Sequence, residues 1–186
     1  MSPDEILMEA EEKMIKTEAA VSHEFAGVRT GKASAALIEN IQVEVYGSMM
    51  RLREVASISS PEPRQLVVQP WDVGTTQSIE KAIQKSNLGL SPATQGKIIR
   101  LTFPELSTER RLEFVKITKK MAEDGRVAVR HVRRDAMEEL KKSVKASETS
   151  EEEQEKAEKE IQKLTDQYIA KIEVHLAQKE KEITTV

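Results

Sequence analysis

The sequence predicts an α+β fold: an antiparallel three-helix bundle with a small β/α/β sandwich domain inserted into it. Three observations carry that prediction. Stretches with apolar residues at helical spacing lie on both sides of a middle segment, 31–105, which holds five of the six Pro, five of the seven Gly and the only Trp. Within that segment apolar residues alternate with period two, the signature of half-buried strands. The 186 residues are 33% charged, 38% hydrophobic and 3% aromatic, a composition suited to long solvated helices.

The first helix is expected from Pro3 to about Val28. Leu7, Met14, Val21 and Val28 recur every seven residues, joined by Ala10 and Phe25. Ser2 can cap the free amides, Pro3 suits the first helical position, and Asp4 and Glu5 meet the positive end of the helix dipole. Gly27 and Gly31 loosen the far end. In the middle segment, Ile41-Gln-Val-Glu-Val-Tyr46 and the stretch around Leu52-Arg-Glu-Val-Ala-Ser-Ile58 alternate, and Gly47-Ser48 between them predicts a hairpin. Leu66-Val-Val-Gln-Pro-Trp71 is a third strand, with Pro70-Trp71 expected as a packing anchor. Thr75 to Asn87 reads as a helix, with Ile79, Ala82 and Ile83 on one side and Gly89 as its stop signal. Lys97-Ile-Ile-Arg-Leu-Thr-Phe103 is the last strand, ended by Pro104.

Helical spacing returns after Pro104. Ser107 and Thr108 can cap a second helix to about Ala146, with Gly125 its weak spot. Ser150 and Glu153 have capping-box spacing and open a third, along which Ile161, Leu164, Tyr168, Ile172, Leu176 and Ile183 mark one face. Single amphipathic helices cannot bury their stripes alone, so the three should pack together. The expected domains are therefore 1–30 with 106–186, and 31–105. Two thin links near 29–31 and 103–106, centred on Thr30, Gly31, Pro104 and Glu105, form a candidate hinge.

The net charge of −3 speaks against a nucleic-acid binder, but its distribution along the chain points the other way. Residues 1–30 carry −4, 31–105 carry +1, 106–134 carry +5 and 135–186 carry −5. On the second long helix, Lys116, Lys119, Arg126, Arg130, Arg133 and Arg134 share an arc of roughly 100°. Phe114, Ile117, Met121, Ala128, Val129, Val132 and Ala136 share the opposite side. A charge run on a helix is commonly its solvated face, yet such a face interleaves signs, as Glu155 and Lys159 do. No acidic residue falls between Arg126 and Arg134, so these four arginines read as unneutralised and in need of a polyanion. Arginine grips phosphate with a planar fork. With few aromatics to stack on bases, recognition would be of phosphate and shape, as for folded RNA.

Other chemistries find no footing. The absence of Cys removes disulfides, thiolate metal sites and thiol catalysis. Gly27-Val-Arg-Thr-Gly-Lys32 departs from a phosphate loop in spacing, in the residue after the lysine and in following a helix. His23, His131 and His175 lack metal-ligand spacing and an obvious carboxylate to orient them. No catalytic constellation, metal site or cofactor site is expected. No apolar run approaches the ~20 residues of a membrane span and the acidic start lacks the order of a signal peptide, so a cytoplasmic protein is expected.

Arg29-Thr-Gly-Lys-Ala-Ser34, Leu88-Gly-Leu90, Glu109-Arg-Arg111, Lys163-Leu-Thr-Asp166 and above all Arg126-Val-Ala-Val-Arg-His-Val-Arg-Arg-Asp135 resemble the signatures of the ribosome recycling factor family. The resemblance runs in order over essentially the whole chain. One departure is Lys32, where many members carry Arg. The resemblance implies an L-shaped body of tRNA-like outline, its bundle lying on large-subunit rRNA across the aminoacyl and peptidyl sites. It implies that, after termination, elongation factor G hydrolyses GTP and pushes on the small domain, and the ribosome splits into subunits and is released from mRNA. By position Arg133 matches the family's key rRNA contact, supported by Arg130, Arg29, Lys32 and Arg111, with Arg126, Arg134 and Lys119 on the same cationic arc. The protein itself would be a monomer without catalysis. The competing reading is a coiled-coil interaction protein or holdase chaperone, which would present apolar helix faces to protein clients.

Overall fold

The computed structural model describes residues 1–86 and 88–185. It has an α+β fold with two compact units. Met1–Phe25 and Val115–Glu182 form the first; Ala26–Phe114, with Ile183 onward, forms the second. The division falls inside helices, so the ends of the long helices belong to the second unit.

The first unit is a bundle of three helices: α1 (Pro3–Ala26), α4 (Thr108–Lys145) and α5 (Glu151–Thr184). Their starts follow the capping rules. The Glu5 amide donates to Ser2 Oγ at 3.2 Å while the Ser2 amide donates to Glu5 Oε2 at 2.8 Å, and hydrogen bonding from Ser2, its amide first, holds the Glu5 carboxyl below its ordinary pKa. Ser150 and Glu153 repeat the device at the start of α5, and Ser107 Oγ accepts from the Arg110 amide. Helix directions follow from the core. Ile6 and Ala10 of α1 pack with Ala136 and Leu140 of α4 and with Ala157 and Ile161 of α5. Val21 and Phe25 pack with Ala122 and Val129, and with Tyr168, Ile172 and Leu176. Thus α1 and α5 run parallel to each other and antiparallel to α4.

The core side of α4 differs from the expected one. Its buried residues are Thr118, Ala122, Gly125, Val129, Ala136, Leu140 and Ser143, whereas Ile117 is exposed. At about 100° per residue the core face is turned roughly 50° toward the cationic arc. The reason is steric. A Cβ on Gly125 would stand 2.5 Å from Val21 Cγ2 and 3.3 Å from Ile172 Cδ1, so α1 and α5 close on a seam of small residues that hydropathy alone does not mark.

The second unit holds a hairpin, β1 (Gln42–Val45) with β2 (Ser48–Arg51), and an antiparallel sheet. That sheet is ordered β3 (Ala56–Glu62), β4 (Gln65–Pro70), β6 (Ile98–Thr102), β5 (Pro92–Gln95). Helix α3 (Thr76–Lys85) drives Ile79 and Ile83 into one core with Val43, Leu52, Leu66, Val68, Ile99, Leu101 and Phe103. Four expectations need correction. The hairpin turn is Tyr46-Gly47, because Val45 pairs with Ser48; its φ values of 49° and 79° are both positive, as a type I′ turn requires. The partner strand ends at Arg51, and Leu52–Val55 is a one-turn helix, α2, that buries Leu52 and Val55. Trp71 is not a core anchor: it is 67% exposed, and its amide donates to the Val55 carbonyl at 3.2 Å. Helix α3 stops at Lys85, where the Ser86 amide closes the last turn, and the expected end at Asn87 lies outside the described residues. Strand β5 has no counterpart among the expected elements, being four residues with no buried side chain and so no alternation to read.

Candidate nucleic-acid interface

The eight candidate cations divide between the two units. Lys119, Arg126, Arg130, Arg133 and Arg134 lie in the bundle, and Arg29, Lys32 and Arg111 lie in the second unit.

On α4 the turned core face sorts the five into two rows. Arg126 and Arg133 border the core and reach α5; Arg130, Arg134 and Lys119 stand further out. The side chain of Arg126 is only 18% exposed and is held on both sides. It meets Glu123 of its own helix at 2.7 Å and Glu173 of α5. Burial would lower its pKa, but the bonds to Glu123 and Glu173 outweigh burial and raise it. Glu123 is held below its ordinary value, first by the Arg126 hydrogen bond and charge and then by the charge of Arg130. Arg130 approaches the same carboxylate at 3.6 Å with 47% of its side chain exposed. The expectation of four unneutralised arginines is therefore corrected: acidic partners come from one turn earlier and from across the bundle.

Arg133 is half-buried, and its Nη1 donates to Gln162 Oε1 on α5 at 3.1 Å. Gln162 Nε2 in turn donates to Asp166 Oδ1 at 2.9 Å. Arg134 is exposed, with no ion pair among the described residues. Lys119 is exposed and 4.0 Å from Glu180, a loose pairing. The two outer arginines and the unspent donors of Arg133 thus present cationic groups on the flank of α4 beside α5. Such an array can bind several phosphates.

In the second unit, Arg29 bonds the Pro104 carbonyl at 3.1 Å and lies over the Phe103 ring at 5.6 Å. Burial, and then the neighbouring Arg110 charge, lowers its pKa. Arg29 therefore ties the segment containing Thr30 and Gly31 to the one containing Pro104 and Glu105. Glu105 pairs with Arg64 at 3.4 Å, and Gly31 takes a φ of 86° that favours glycine. Arg111 spends its guanidinium on the carbonyls of Leu106, Ile183 and Thr185. Lys32 is exposed.

The histidine expectation also needs revision. His175 Nε2 lies 2.6 Å from Glu18 Oε1, and His131 lies 3.4 Å from Asp135 one turn on. The first joins α5 to α1 across the bundle and the second lies on the surface of α4, and among the described residues no group of three or more His, Asp or Glu could hold a metal ion. No helix of the described residues is long and apolar enough to cross a membrane. Sequence reading missed Glu123, Glu173 and Gln162. Only Glu123 was legible, three residues before Arg126; the other two reach the site by packing of α5.

Comparison with known proteins agrees with this architecture. The sequence pattern of the family described as ribosome recycling factor matches residues 21–184. A ribosome-recycling factor of Rhodopseudomonas palustris strain TIE-1 is 53% identical over 167 residues, 90% of each chain. One of Methylocella silvestris is 47% identical over 186 residues and the full length of both. The fold is similar to a solution structure of ribosome recycling factor at a TM-score of 0.83, with 43% identity, over 100% of this chain and 99% of that one. It is also similar, at a TM-score of 0.70 and 42% identity over the full length of both chains, to one in models for the T. thermophilus ribosome recycling factor and the E. coli elongation factor G bound to the E. coli post-termination complex. On its sequence over nearly its whole length, and on its helical bundle with a small β-sheet domain, this chain belongs to the ribosome recycling factor family.

Proposed function

We propose that this chain recycles ribosomes. It binds the post-termination ribosome through large-subunit rRNA and acts with elongation factor G and GTP. The ribosome then separates into subunits, leaving mRNA free for a new round of translation. The observation that carries the reading is the row of outward arginines on a rigid helix in a chain of this family, one relative of which is described with elongation factor G on a post-termination complex.

Arg133 is the principal rRNA contact, with Arg130, Arg134 and Lys119 meeting neighbouring phosphates. Arg126 carries less of the contact, because two carboxylates already hold it. Lys32 contributes a charge, and Arg29 and Arg111 contribute through the chain segments they tie. The working domains are 1–30 with 106–186 and 31–105, and the links at Thr30, Gly31, Pro104 and Glu105 act as a hinge. A cationic rod can then stay seated on RNA while a motor swings the smaller domain. The chain catalyses no reaction of its own; GTP hydrolysis belongs to the elongation factor. It works as a monomer in the cytoplasm.

The test is light scattering of post-termination ribosomes with elongation factor G and GTP. Adding this protein should lower scattering as 70S particles split, and Thr30→Pro should slow splitting more than it weakens binding. Scattering that stays constant with the intact protein would overturn the reading.

A further inference from the structure

We propose that Gln162 and Asp166 of α5 are positioning residues for Arg133. The inference rests on the reading of Arg133 as an rRNA contact, and adds that α5, which carries no cation of the proposed interface, decides how that contact is aimed.

The three side chains differ in what they can donate and accept. A guanidinium only donates hydrogen bonds and a carboxylate only accepts them, whereas an amide does one at each end. Gln162 lies between the two, with Oε1 3.1 Å from Arg133 Nη1 and Nε2 2.9 Å from Asp166 Oδ1. Turning the amide over would set NH₂ against a donor and oxygen against an acceptor, so the chemistry of its neighbours fixes its orientation. Asp166 stands one helical turn after Gln162, within reach of its side chain at i,i+4. It sets the amide, and the amide holds one edge of the guanidinium. Gln162 is neutral, so it restrains Arg133 without cancelling its charge. Glu123 and Glu173 hold Arg126 with charge as well as geometry.

One N–H of Arg133 is committed to Gln162, and its remaining donors have no partner among the described residues. The side chain therefore meets RNA already restrained, and much of the entropy cost of fixing a long rotamer is met before binding. Immobilising a side chain of this kind is worth about three- to tenfold in affinity, which is the effect expected from losing the restraint.

The experiment is a double-mutant cycle on the full-length protein, read as affinity for purified large ribosomal subunits and as the salt dependence of that affinity. Gln162→Met keeps length and packing but removes the acceptor. It should weaken binding about three- to tenfold when Arg133 is present and cause no further loss in an Arg133→Ala background. Asp166→Leu should weaken binding in the same direction, and Asp166→Asn, which can still accept from the amide, should retain affinity. Equal loss from Gln162→Met in both backgrounds, or no loss with Arg133 present, overturns the positioning role alone. If Arg133→Ala itself leaves affinity and salt slope unchanged, the assignment of Arg133 as an rRNA contact falls too. Thermal unfolding separates these outcomes from damage to the bundle, because Asp166 is exposed and its variants should keep the melting temperature.

Discussion

Helices α4 and α5 are similar in length and both densely charged, yet they dispose of their charge in opposite ways. Along α5 the signs pair within the helix: Lys156 with Glu152 at 3.1 Å, Lys159 with Glu155 at 2.8 Å and Lys163 with Glu160 at 2.6 Å. Each pair is exposed, so it adds little stability and leaves little field at a distance. Along the middle of α4 the cations share two carboxylates, lean on a neutral amide or face solvent unpaired. Counting charges does not separate a solvated face from a binding face. What separates them is whether each cation has a carboxylate to itself, as along this stretch of α5, or must share one, borrow one from another helix or go without.

The sharpest way to break that contrast is to reverse charge on each helix in turn. Arg130→Glu with Arg134→Glu should weaken large-subunit binding about a hundredfold or more and reduce the slope of log affinity against log salt by about two. Lys156→Glu with Lys163→Glu on α5 also changes the net charge by four units, and should alter affinity by no more than about threefold, the remainder being long-range charge. Salt titration of binding checks both. Equal losses would mean that total charge, and not the α4 row, governs association.

A second prediction concerns what holds the two helices together. Gly125→Ala gains about 1 kcal/mol of helix propensity but drives a methyl group into Val21 and Ile172. Overpacking of this kind costs about 1–3 kcal/mol, and Val21 is β-branched, with little rotamer freedom in a helix to give way. The balance is a net destabilisation of up to about 2 kcal/mol, visible in denaturant unfolding. It should be smaller in a Val21→Ala background, where the clash is relieved. The smallest effect is one of pH. Glu123 lies below its ordinary pKa of 4.5 in the fold because Arg126 bonds it. A lowered carboxylate contributes stability that is complete above the unfolded value and is lost as pH falls through the folded one. The difference in unfolding midpoint between the native protein and Glu123→Gln should therefore be constant at neutral pH and shrink below about pH 4.5.

Much of the architecture was legible in the sequence because the signals were local. Ser2, Ser107 and Ser150 announced helix starts, and the concentration of Pro and Gly between 31 and 105 announced the change of domain. Signals that depend on a partner element were not legible. Leu52 and Val55 stand three apart, the spacing of one helical turn and not of a strand face, but a single turn is too short to stand out from the alternating residues on either side. Trp71 looked like core by residue type, yet burial depends on what lies opposite. The cationic row was visible on a helical wheel. Its division into held and open arginines was not, because Glu173 and Gln162 stand more than 25 positions away along the chain.

The small-residue seam of α4 has a consequence for the spacing of the chain. Because Thr118, Ala122, Gly125 and Val129 admit α1 and α5 on one side only, they fix the rotational phase of the helix like a key in a slot. One residue inserted between Val129 and Arg130 would leave that seam seated and turn everything beyond it by about 100°, Ala136 and Leu140 along with the arginines. The arginines would keep their number and their charge, yet point away from the flank they now share.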